Sequence, residues 1–425
     1  MPKDKVIVGI DLGSSKVTTI ISTIQDEDSV NVIGVASIPS RGLRKGQVVD
    51  IDEAVSVITQ SVEAAERMAG VSIGSAFVSV DGTHIESQNS KGVVAVSNPD
   101  GEITEEDVLR VIEAARAISL PSSKEILHVI PRYFTVDSQS GIKDPVGMNG
   151  VRMEVETHII TGATTALRNI AKCVSQVGID VVGLVFSGLA GSYSVLTDTE
   201  KELGVVLVDF GGGTTDITIF QDGAPAHCAV LPIGARNVTN DLAIGLRISL
   251  ESAEKIKLAL STAPKVAIDP SEEGEPHERK EADRLETTGL GIDEDIKNVS
   301  KKTLSDGIIK PRLREILNMV MLEIQKSGYS SLTPSGVVIT GGGAETANLV
   351  DIAKNELAMP VRIGLPQGAT GLTDEVASPA FASGLGLVIY GASFRQEDVR
   401  LPLVGRVEIK NIVTKGISWV KSILP

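Results

Sequence analysis

Short apolar runs with a β-strand period alternate with amphipathic helical stretches along the first part of the chain. Residues 5–83 predict two strands around a turn at Gly13, a strand over 30–37, a helix over 51–69 and a strand over 76–80. Aromatic residues make up only 3% of the chain, so the core must consist mostly of valine, isoleucine, leucine and alanine. Because strands and helices alternate, the sequence predicts an α/β fold.

From about residue 84 to residue 160 the pattern changes and predicts a small inserted α/β subdomain. Thr104 stands where a helix N-cap is expected, with Asp107 at the third helical position, and a helix over 108–118 follows. Two longer strands are predicted after this helix, over 126–136 and 152–161.

A strand–turn–strand pattern occurs twice, at residues 8–20 and 207–220. Each copy has an apolar run that ends in an aspartate, a tight turn rich in glycine, serine and threonine, and a second run rich in threonine and isoleucine. At 425 residues the chain exceeds what one hydrophobic core usually supports, so two lobes are expected. Two such hairpins, one from each lobe, can close from opposite sides on one anionic ligand.

The paired turns carry the chemistry of a phosphate site. Asp11 and Asp209 end their strands, where a carboxylate can hold Mg²⁺ through water molecules. Backbone N–H groups of glycine-rich turns form concave sites for phosphate, and hydroxyl groups and a lysine add further donors. The predicted phosphate-binding residues are Gly13, Ser14, Ser15 and Lys16 in the first turn and Gly211, Gly212, Gly213, Thr214 and Thr215 in the second. Either turn alone is typical of an ordinary hairpin, but the pair favours a phosphate site.

Two further segments favour a nucleotide over a simple phosphate. A third glycine turn, Gly341-Gly342-Gly343, follows a predicted strand over 336–340 and precedes a predicted helix, which suits a phosphate or the face of a base or ribose. On a predicted helix over 250–260, Glu254 and Lys257 are three residues apart and share a face. This pair fits either ribose and base contacts or a plain surface ion pair.

Charge and targeting signals narrow the class of protein. The net charge of −15 argues against non-specific binding to nucleic acid. Cys173 and Cys228 show no metal-site or disulfide pattern, so reduced cytosolic thiols are expected. The N-terminus lacks a signal-peptide pattern, and no run reaches the roughly 20 apolar residues that a membrane span needs. A cytoplasmic protein is expected.

The last twenty residues differ from the acidic body. Residues 396–405, with Pro402 and Gly405, predict a linker. Residues 406–424 carry a net charge of +3, against −18 for the rest of the chain. At about 100° per residue the apolar side chains fall within roughly 160° of arc and lysines flank them, as in a helix lying in a membrane surface. The residues predicted to contact lipid are Ile409, Lys410, Ile412, Val413, Lys415, Ile417, Trp419, Val420, Lys421, Ile423 and Leu424. The alternative is a terminal helix that docks on the body of the protein.

The two hairpins, the third glycine turn and the Glu-x-x-Lys helix together resemble the actin-like ATPase superfamily. No Gly-x-x-x-x-Gly-Lys-Ser/Thr run of the P-loop type occurs in the chain. Within the superfamily the chain is similar to the FtsA family of bacterial cell-division proteins, over roughly residues 5–395 and the tail. The segments that carry this resemblance are Leu127–Pro131, Asp144–Gly150, His158–Gly162, Ser192–Thr197 and Glu202–Val205.

The resemblance implies a two-lobed actin-like α/β fold with duplicated ribonuclease-H-like cores and a family-specific inserted subdomain. The implied domains are 1–83 and 161–200 for the first lobe core, 84–160 for the inserted subdomain that makes polymer contacts, 201–228 and 306–395 for the second lobe core, 229–305 for a second insertion that binds the FtsZ tail, 396–405 for the linker and 406–425 for the amphipathic membrane-targeting helix.

The resemblance also implies ligands, partners and a place in the cell. It implies ATP and Mg²⁺ as cofactors. Its implied partners are the C-terminal peptide of FtsZ, further copies of the chain in a filament, an anionic lipid surface and other division proteins. Lys310 and Arg312 are the candidate basic contacts for the acidic FtsZ tail, or simply an exposed helix start. The acidic stretch 264–300 is longer and more charged than is usual in the family. The implied location is the cytoplasmic face of the plasma membrane at the division site.

Catalytic turnover is expected to be slow or negligible. Hydrolysis needs a group that positions the attacking water, and related ATPases place an acidic residue on the segment between the lobes. The corresponding stretch here, residues 186–190, has no carboxylate. Two other functions remain open at this point: an adaptor of the type IV pilus machinery similar to PilM, and an ATPase or phosphotransferase of the same superfamily.

Overall fold

The computed structural model describes residues 5–24, 29–262, 283–285, 287, 289–292, 294 and 299–393. The predicted linker 396–405 and tail helix 406–425 lie outside these residues, as does most of the acidic stretch 264–300. In the part that is described, no helix combines the length and the apolar character needed to cross a membrane.

Strands and helices are numbered in chain order. The strands are β1 (Lys5–Leu12), β2 (Lys16–Ile24), β3 (Val30–Pro39), β4 (Leu43–Arg44), β5 (Gln47–Val48), β6 (Ser75–Val80), β7 (Glu86–Ala95), β8 (Lys124–Val136), β9 (Gln139–Ile142), β10 (Arg152–Ala163), β11 (Asp180–Phe186), β12 (Val205–Phe210), β13 (Thr215–Gln221), β14 (Ala224–Leu231), β15 (Val337–Thr340), β16 (Val361–Ile363) and β17 (Ala369–Gly371). The helices are α1 (Ile51–Ala69), α2 (Glu105–Arg116), α3 (Thr164–Gln176), α4 (Ser187–Val195), α5 (Asp198–Leu203), α6 (Ala235–Leu246), α7 (Leu250–Thr262), α8 (Lys301–Leu304), α9 (Lys310–Ser327), α10 (Leu349–Leu357) and α11 (Ala382–Ser393).

Two sheets repeat the same order of strands. The second sheet runs β14-β13-β12-β15-β16. In the corresponding direction the first runs β17-β3-β2-β1-β6-β11, with β17 as an additional edge strand. In each sheet three successive strands pair antiparallel, and the first of them pairs in parallel with a later strand. The two hairpins found in the sequence are therefore the same element of two copies of one fold, and the predicted duplication is confirmed.

Helices cover both faces of the first sheet, which explains the nearly continuous apolar strands. On one face, α1 and α3 bring Val57, Ile58 and Leu167 against residues such as Ile10. The start and end of α1 are as predicted, because Asp50 accepts a hydrogen bond from the N–H of Glu53 and Gly70 ends the helix in a left-handed conformation.

The assignment of residues 306–395 to the second lobe is wrong for their last part. Strand β17 pairs in parallel with β3 of the first sheet, and α11 packs Leu385, Leu387 and Val388 against Ile7 and Ile20 of that sheet. The physical reason is that α11 is apolar on most of its surface, so it is stable only when covered on more than one side. It lies between the first sheet and α4.

The inserted subdomain is present and has its own core. Its sheet runs β7-β10-β8-β9, and α2 packs on it around Val111, Ile112 and Met153. Thr104 and Asp107 form a reciprocal cap at the predicted position. Helix α2 begins at Glu105, directly after Thr104 and three residues earlier than predicted. The two strands predicted after the helix are β8 and β10, each slightly longer than predicted.

The inserted subdomain also touches the second lobe. The Ser87 hydroxyl accepts a hydrogen bond from the N–H of Cys228 and donates one to its carbonyl oxygen, both at 2.9 Å. The Asn89 side chain donates to the carbonyl of Ala226 at 3.3 Å. Strand β7 of the insertion therefore contacts β14 of the second sheet.

The second lobe packs its helices on one face of the second sheet. Side chains of α6, α7 and α9, including Leu242, Ile256 and Ile316, share one core with Val208 and Ile217 of that sheet. The described part of the predicted insertion 229–305 is thus joined, through α6 and α7, to the core of the second lobe.

Candidate functional site

A cavity of about 570 Å³ lies between the two lobes. It is lined by the turn after β1, the turn after β12, the glycine turn after β15 and one face of α7. These four segments are the ones singled out in the sequence, and they are separated by up to about 330 residues. The fold brings them to one place because β1, β12 and β15 all end at the cleft.

The two phosphate turns touch each other across the cleft. A Cβ atom on Gly212 would lie 1.9 Å from Oγ of Ser15, and one on Gly213 would lie 2.8 Å from Cβ of Ser14. Real Cβ atoms do not approach other atoms this closely, so a side chain at either position would push the turns apart. The Ser14 hydroxyl accepts a hydrogen bond of 3.0 Å from the N–H of Gly46 and can still donate one.

Most of the predicted phosphate-binding residues line the cavity, but Gly213 and Thr215 do not. Thr215 is fully buried, and its hydroxyl donates a 2.8 Å hydrogen bond to the carbonyl of Ile233. Gly213 packs directly against the side chain of Ser14. The residues that reach the cavity from the two turns are Asp11, Gly13, Ser14, Ser15, Lys16, Asp209, Gly211, Gly212 and Thr214.

Four aspartates line the cavity, of which the sequence interpretation named two. Asp11 and Asp209 stand where predicted, and Asp81 and Asp216 join them. Asp81 directly follows the buried strand β6, just as Asp11 follows an apolar run, so the same signal could have found it. Asp216 lies inside β13, where an aspartate within an apolar strand was itself a signal.

Burial disfavours the charged form of Asp11, Asp209 and Asp216. Burial, with smaller contributions from the nearby Asp11 and Asp81, raises the pKa of Asp209 to about 7, against the lowering effect of a 2.7 Å hydrogen bond from the Ser383 hydroxyl. Burial also raises the pKa of Asp11 and, together with Asp81, raises that of Asp216 well above its ordinary range. Because burial is the largest cause for all three, their charged forms are costly unless a bound cation or hydrogen-bond donor compensates them.

This donor set fits a metal-bound polyphosphate. Asp216 is 3% exposed, and its Oδ1 has no hydrogen-bond partner among the described residues. In that same part of the chain, no three acidic, histidine or cysteine side chains are grouped closely enough to hold a metal ion. A Mg²⁺ ion at Asp11 and Asp209 would consequently keep several water ligands, which is its usual preference.

Lys16 lies in the cavity next to the third glycine turn. Its Nζ is 3.6 Å from the centroid of the Phe381 ring. Burial lowers the pKa of Lys16, while Asp11 and Glu345 raise it. The lysine is thus placed between the carboxylate end of the cleft and the segment around residue 380.

Glu254 and Lys257 form an ion pair that is not on the outer surface. Nζ of Lys257 donates to Oε2 of Glu254 at 2.8 Å and to Oγ1 of Thr239 at 3.0 Å. Lys257 is 7% exposed, and both members of the pair line the cavity. The pair therefore joins α6 to α7 and presents polar atoms to the cleft.

The segment directly after the third glycine turn differs from the prediction. Residues Gly342–Glu345 form a short 3₁₀ helix, and the α-helix α10 begins only at Leu349, so the glycine turn does not lead straight into an α-helix N-terminus. Gly341 has φ of +83°, and a Cβ atom there would lie 2.2 Å from Oδ1 of Asp209. Only glycine allows the backbone to pass so close to this carboxylate.

The two candidate contacts for the FtsZ tail are paired within the chain. Arg312 donates two hydrogen bonds to Asp241, at 2.6 and 2.9 Å, and a third to Glu315. Lys310 lies 3.9 Å from a carboxylate oxygen of Asp306 and lines a separate cavity of about 320 Å³ beside α10. An acidic peptide would have to compete with these carboxylates.

Replacing Asp209 by asparagine is expected to stabilise the nucleotide-free protein more at pH 8 than at pH 5. The folded-state pKa of about 7 lies above the ordinary 3.8, so this group's stabilising contribution is fully present below about pH 4 and is lost as the pH rises through 7. Asparagine does not titrate and escapes that loss. Thermal unfolding at both pH values measures the difference, with Asp52→Asn as an exposed control. An equal shift at both pH values would contradict the assignment.

Two lobes with the same sheet order, whose phosphate turns meet in one cleft, define an actin-like protein. Solved structures share this fold. The "PilM-PilN type IV pilus biogenesis complex" has a TM-score of 0.62 at 17% identity, covering 91% of this chain and 98% of that one. The "Crystal structure of MreB 5 of Spiroplasma citri bound to AMPPNP" has a TM-score of 0.53 at 10% identity, covering 94% and 99%.

Sequence comparisons name the family. The family model "SHS2 domain inserted in FTSA" matches residues 82–161, and "Cell division protein FtsA" matches residues 206–386. The chain is 39% identical to the cell division protein FtsA of Pseudomonas aeruginosa, covering 94% of this chain and 93% of that protein. It is 36% identical to the one from Escherichia coli K12, covering 98% and 96%, and 39% identical to the one from Bacillus subtilis, covering 91% and 84%. The chain belongs to the FtsA family of cell division proteins.

The family assignment confirms the resemblance stated from the sequence. It also decides against the pilus adaptor as the function, because the likeness to the PilM complex is one of fold alone at 17% identity. The boundaries of the matched inserted domain, 82–161, agree with the predicted insertion 84–160 to within two residues.

Proposed function

We propose that this protein binds ATP with Mg²⁺ in the cleft, assembles into filaments and tethers FtsZ filaments to the cytoplasmic face of the plasma membrane at the division site. The observation that carries the proposal is the direct contact of the two phosphate turns, Gly212 against Ser15, beside the carboxylates of Asp11 and Asp209. A related fold has been solved as MreB5 "bound to AMPPNP".

The cleft offers each part of the nucleotide a suitable surface. Backbone N–H groups around Gly13 and Gly212, with the Ser15 hydroxyl, would hold the phosphates, and water ligands of Mg²⁺ would contact Asp11 and Asp209. Glu254 and Lys257 would face the ribose and base, across from the glycine turn 341–343. A bound metal nucleotide would supply positive charge at the carboxylates of Asp11 and Asp209 and negative charge at the two turns.

Nucleotide binding would set the angle between the lobes. Each turn belongs to a different sheet, and the turns meet only at the cleft, so a phosphate held by both fixes the distance between the sheets. Filament contacts made by the two lobes then depend on the nucleotide, because a polymer interface selects one of the available lobe angles.

We expect turnover of ATP to be slow, below about 1 s⁻¹. The segment that connects the lobes, residues 186–190, presents Ser187 to the cavity and no carboxylate. Asp81 and Asp216 supply carboxylates elsewhere in the cleft, but Asp81 accepts a hydrogen bond from Thr214 and Asp216 is buried. The cleft is therefore better suited to holding ATP than to activating a water molecule.

Attachment to the membrane would come from the tail and gain strength from the filament. Four basic residues near an anionic surface contribute on the order of 1 kcal/mol each and insertion of the apolar side chains contributes more, while folding the tail costs on the order of 1 kcal/mol per residue. One tail therefore binds weakly and reversibly. A filament presents many tails at once, and their combined attachment is strong.

Co-sedimentation with vesicles tests the complete proposal. Purified FtsZ filaments are mixed with vesicles containing anionic lipid, with or without this protein and Mg-ATP. We expect FtsZ to sediment with the vesicles only when both this protein and Mg-ATP are present. FtsZ without its C-terminal peptide serves as the control and should remain in the supernatant. Failure of intact FtsZ to sediment in the complete mixture would refute the tethering function.

A further inference from the structure

Asp81 forms a hydrogen bond across the cleft that the proposed nucleotide site does not use. It follows β6 of the first lobe, and its Oδ2 accepts a hydrogen bond from Oγ1 of Thr214 in the second phosphate turn. Thr214 is 4% exposed and lines the cavity together with Asp81. One carboxylate of the first lobe thus holds one hydroxyl of the second lobe.

The position of Asp81 is fixed by its surroundings. Its Oδ1 accepts the N–H of Gly82. The turn between β4 and β5 packs against its backbone, since a Cβ atom on Gly46 would lie 2.5 Å from the carbonyl carbon of Asp81. The same Gly46 donates its N–H to the Ser14 hydroxyl at 3.0 Å. The backbone of Asp81 and the first phosphate turn therefore belong to one packed unit.

These contacts place Asp81 at the phosphate end of the cleft. Another part of the cavity lining, α7 and the glycine turn 341–343, presents the polar pair and the flat backbone suited to a nucleoside. Asp81 instead contacts the segments that meet at Ser14 and Thr214. A group bound close to Asp81 would be the part of the nucleotide most distant from its base.

The Thr214 hydroxyl has a single proton and can donate to one acceptor at a time. In this structure the hydroxyl donates its hydrogen bond to Asp81. A terminal phosphate held by the second turn would need the same hydrogen bond. It would also approach the carboxylate of Asp81, for which the described residues supply no lysine or arginine partner. Asp81 therefore competes with the terminal phosphate for the hydroxyl and also repels it.

We propose that Asp81 determines how strongly this protein distinguishes nucleoside triphosphate from nucleoside diphosphate, by holding Thr214 and opposing the terminal phosphate. The inference rests on the proposed nucleotide binding and adds a specificity-determining residue to it. A diphosphate lacks the terminal phosphate and would not compete for Thr214, so its affinity would be set by the remaining residues of the two turns. A triphosphate must displace Asp81 from Thr214, and its affinity is lowered accordingly.

Binding of ATP and ADP to full-length variants tests the inference. Dissociation constants are measured at fixed pH and Mg²⁺ by competition against a fluorescent nucleotide analogue. For Asp81→Asn, which keeps the shape and loses the charge, we expect ATP to bind about tenfold more tightly, a change of about 1.4 kcal/mol, because the repulsion between the carboxylate and the terminal phosphate is lost. ADP affinity should stay within about twofold. Asp52→Asn, an exposed acid at the start of α1, is the matched control and should change neither.

Variants of Thr214 keep the inference testable if Asp81→Asn folds poorly. Thr214→Val retains the carboxylate of Asp81 and loses the hydroxyl donor. It should therefore weaken the binding of ATP and leave the affinity for ADP unchanged, an effect on ATP opposite in sign to that of Asp81→Asn. Thr214→Ser keeps the hydroxyl and should restore wild-type ATP affinity. If Thr214 had a purely structural role, its replacement would change the affinities for ATP and ADP in the same direction.

The outcomes separate this inference from the function on which it rests. If the wild-type protein binds both nucleotides and Asp81→Asn leaves their affinity ratio within about twofold, Asp81 does not determine selectivity and nucleotide binding stands. An equal loss of ATP and ADP in Thr214→Val would likewise overturn the competition between Asp81 and the phosphate. If the wild-type protein binds neither nucleotide, both the inference and the proposed function are refuted.

Discussion

Replacing Gly212 by valine is expected to weaken the binding of both ATP and ADP by on the order of 100-fold while leaving the two lobes folded. The Cβ atom alone would lie 1.9 Å from Oγ and 2.9 Å from Cβ of Ser15, so the larger side chain must separate the two phosphate turns. A nucleotide held from one side only loses the donors of the other turn. The core of each lobe is distant from this contact and keeps its packing.

Gly74→Val is the matched control for this variant. A Cβ atom on Gly74 would meet no atom within 4 Å, and the residue lies between α1 and β6, outside the cleft. Nucleotide affinities are measured by competition, and thermal unfolding of both variants reports on the fold. Wild-type affinity in Gly212→Val would mean that the two turns need not meet to bind nucleotide.

Removing residues 406–425 is expected to abolish sedimentation of the protein with anionic vesicles. These residues carry a net charge of +3, whereas the rest of the chain carries −18 and is repelled by an anionic surface. The apolar side chains of the tail would enter the lipid, and its lysines would remain at the phosphate level. Full-length protein should sediment more completely with Mg-ATP than without it, because filaments combine many tails.

The control for the truncation keeps the length of the chain and changes its charge. A variant with Lys410, Lys415 and Lys421 replaced by glutamate should behave like the chain that ends at Gly405. Vesicles of neutral lipid should bind the full-length protein less than anionic ones, and added salt should weaken the binding. If the truncated chain sediments as well as the full-length chain, the tail is not the membrane anchor.

Local patterns predicted the elements that local forces decide. The bounds of α1 follow from Asp50 and Gly70, and the start of α2 follows from the cap formed by Thr104 and Asp107. The hairpins around Gly13 and Gly212 were recognisable because an aspartate, a tight turn and a β-branched run are close in sequence. Such features depend on neighbours within a few residues and are visible in one dimension.

Contacts between distant segments were harder to predict. Nothing in the pattern around Asp81 shows that it meets Thr214, 133 residues later, in the other lobe. The return of residues 369–393 to the first sheet was missed because an apolar helix shows that it is buried but not against which surface. The sequence predicts an α-helix directly after the glycine turn, where the structure has a 3₁₀ helix, since both begin alike in sequence.

The sequence alone determined that the chain has two copies of one hairpin, an acidic body with a basic amphipathic end, and the residue types of a phosphate site. Only the tertiary structure decided that Gly212 meets Ser15, that four aspartates share one cleft, and that Glu254 and Lys257 form an ion pair facing it. The physical reason is that residue type and spacing govern local backbone conformation. The distances between the two lobes arise instead from how their cores and the helix α11 pack together.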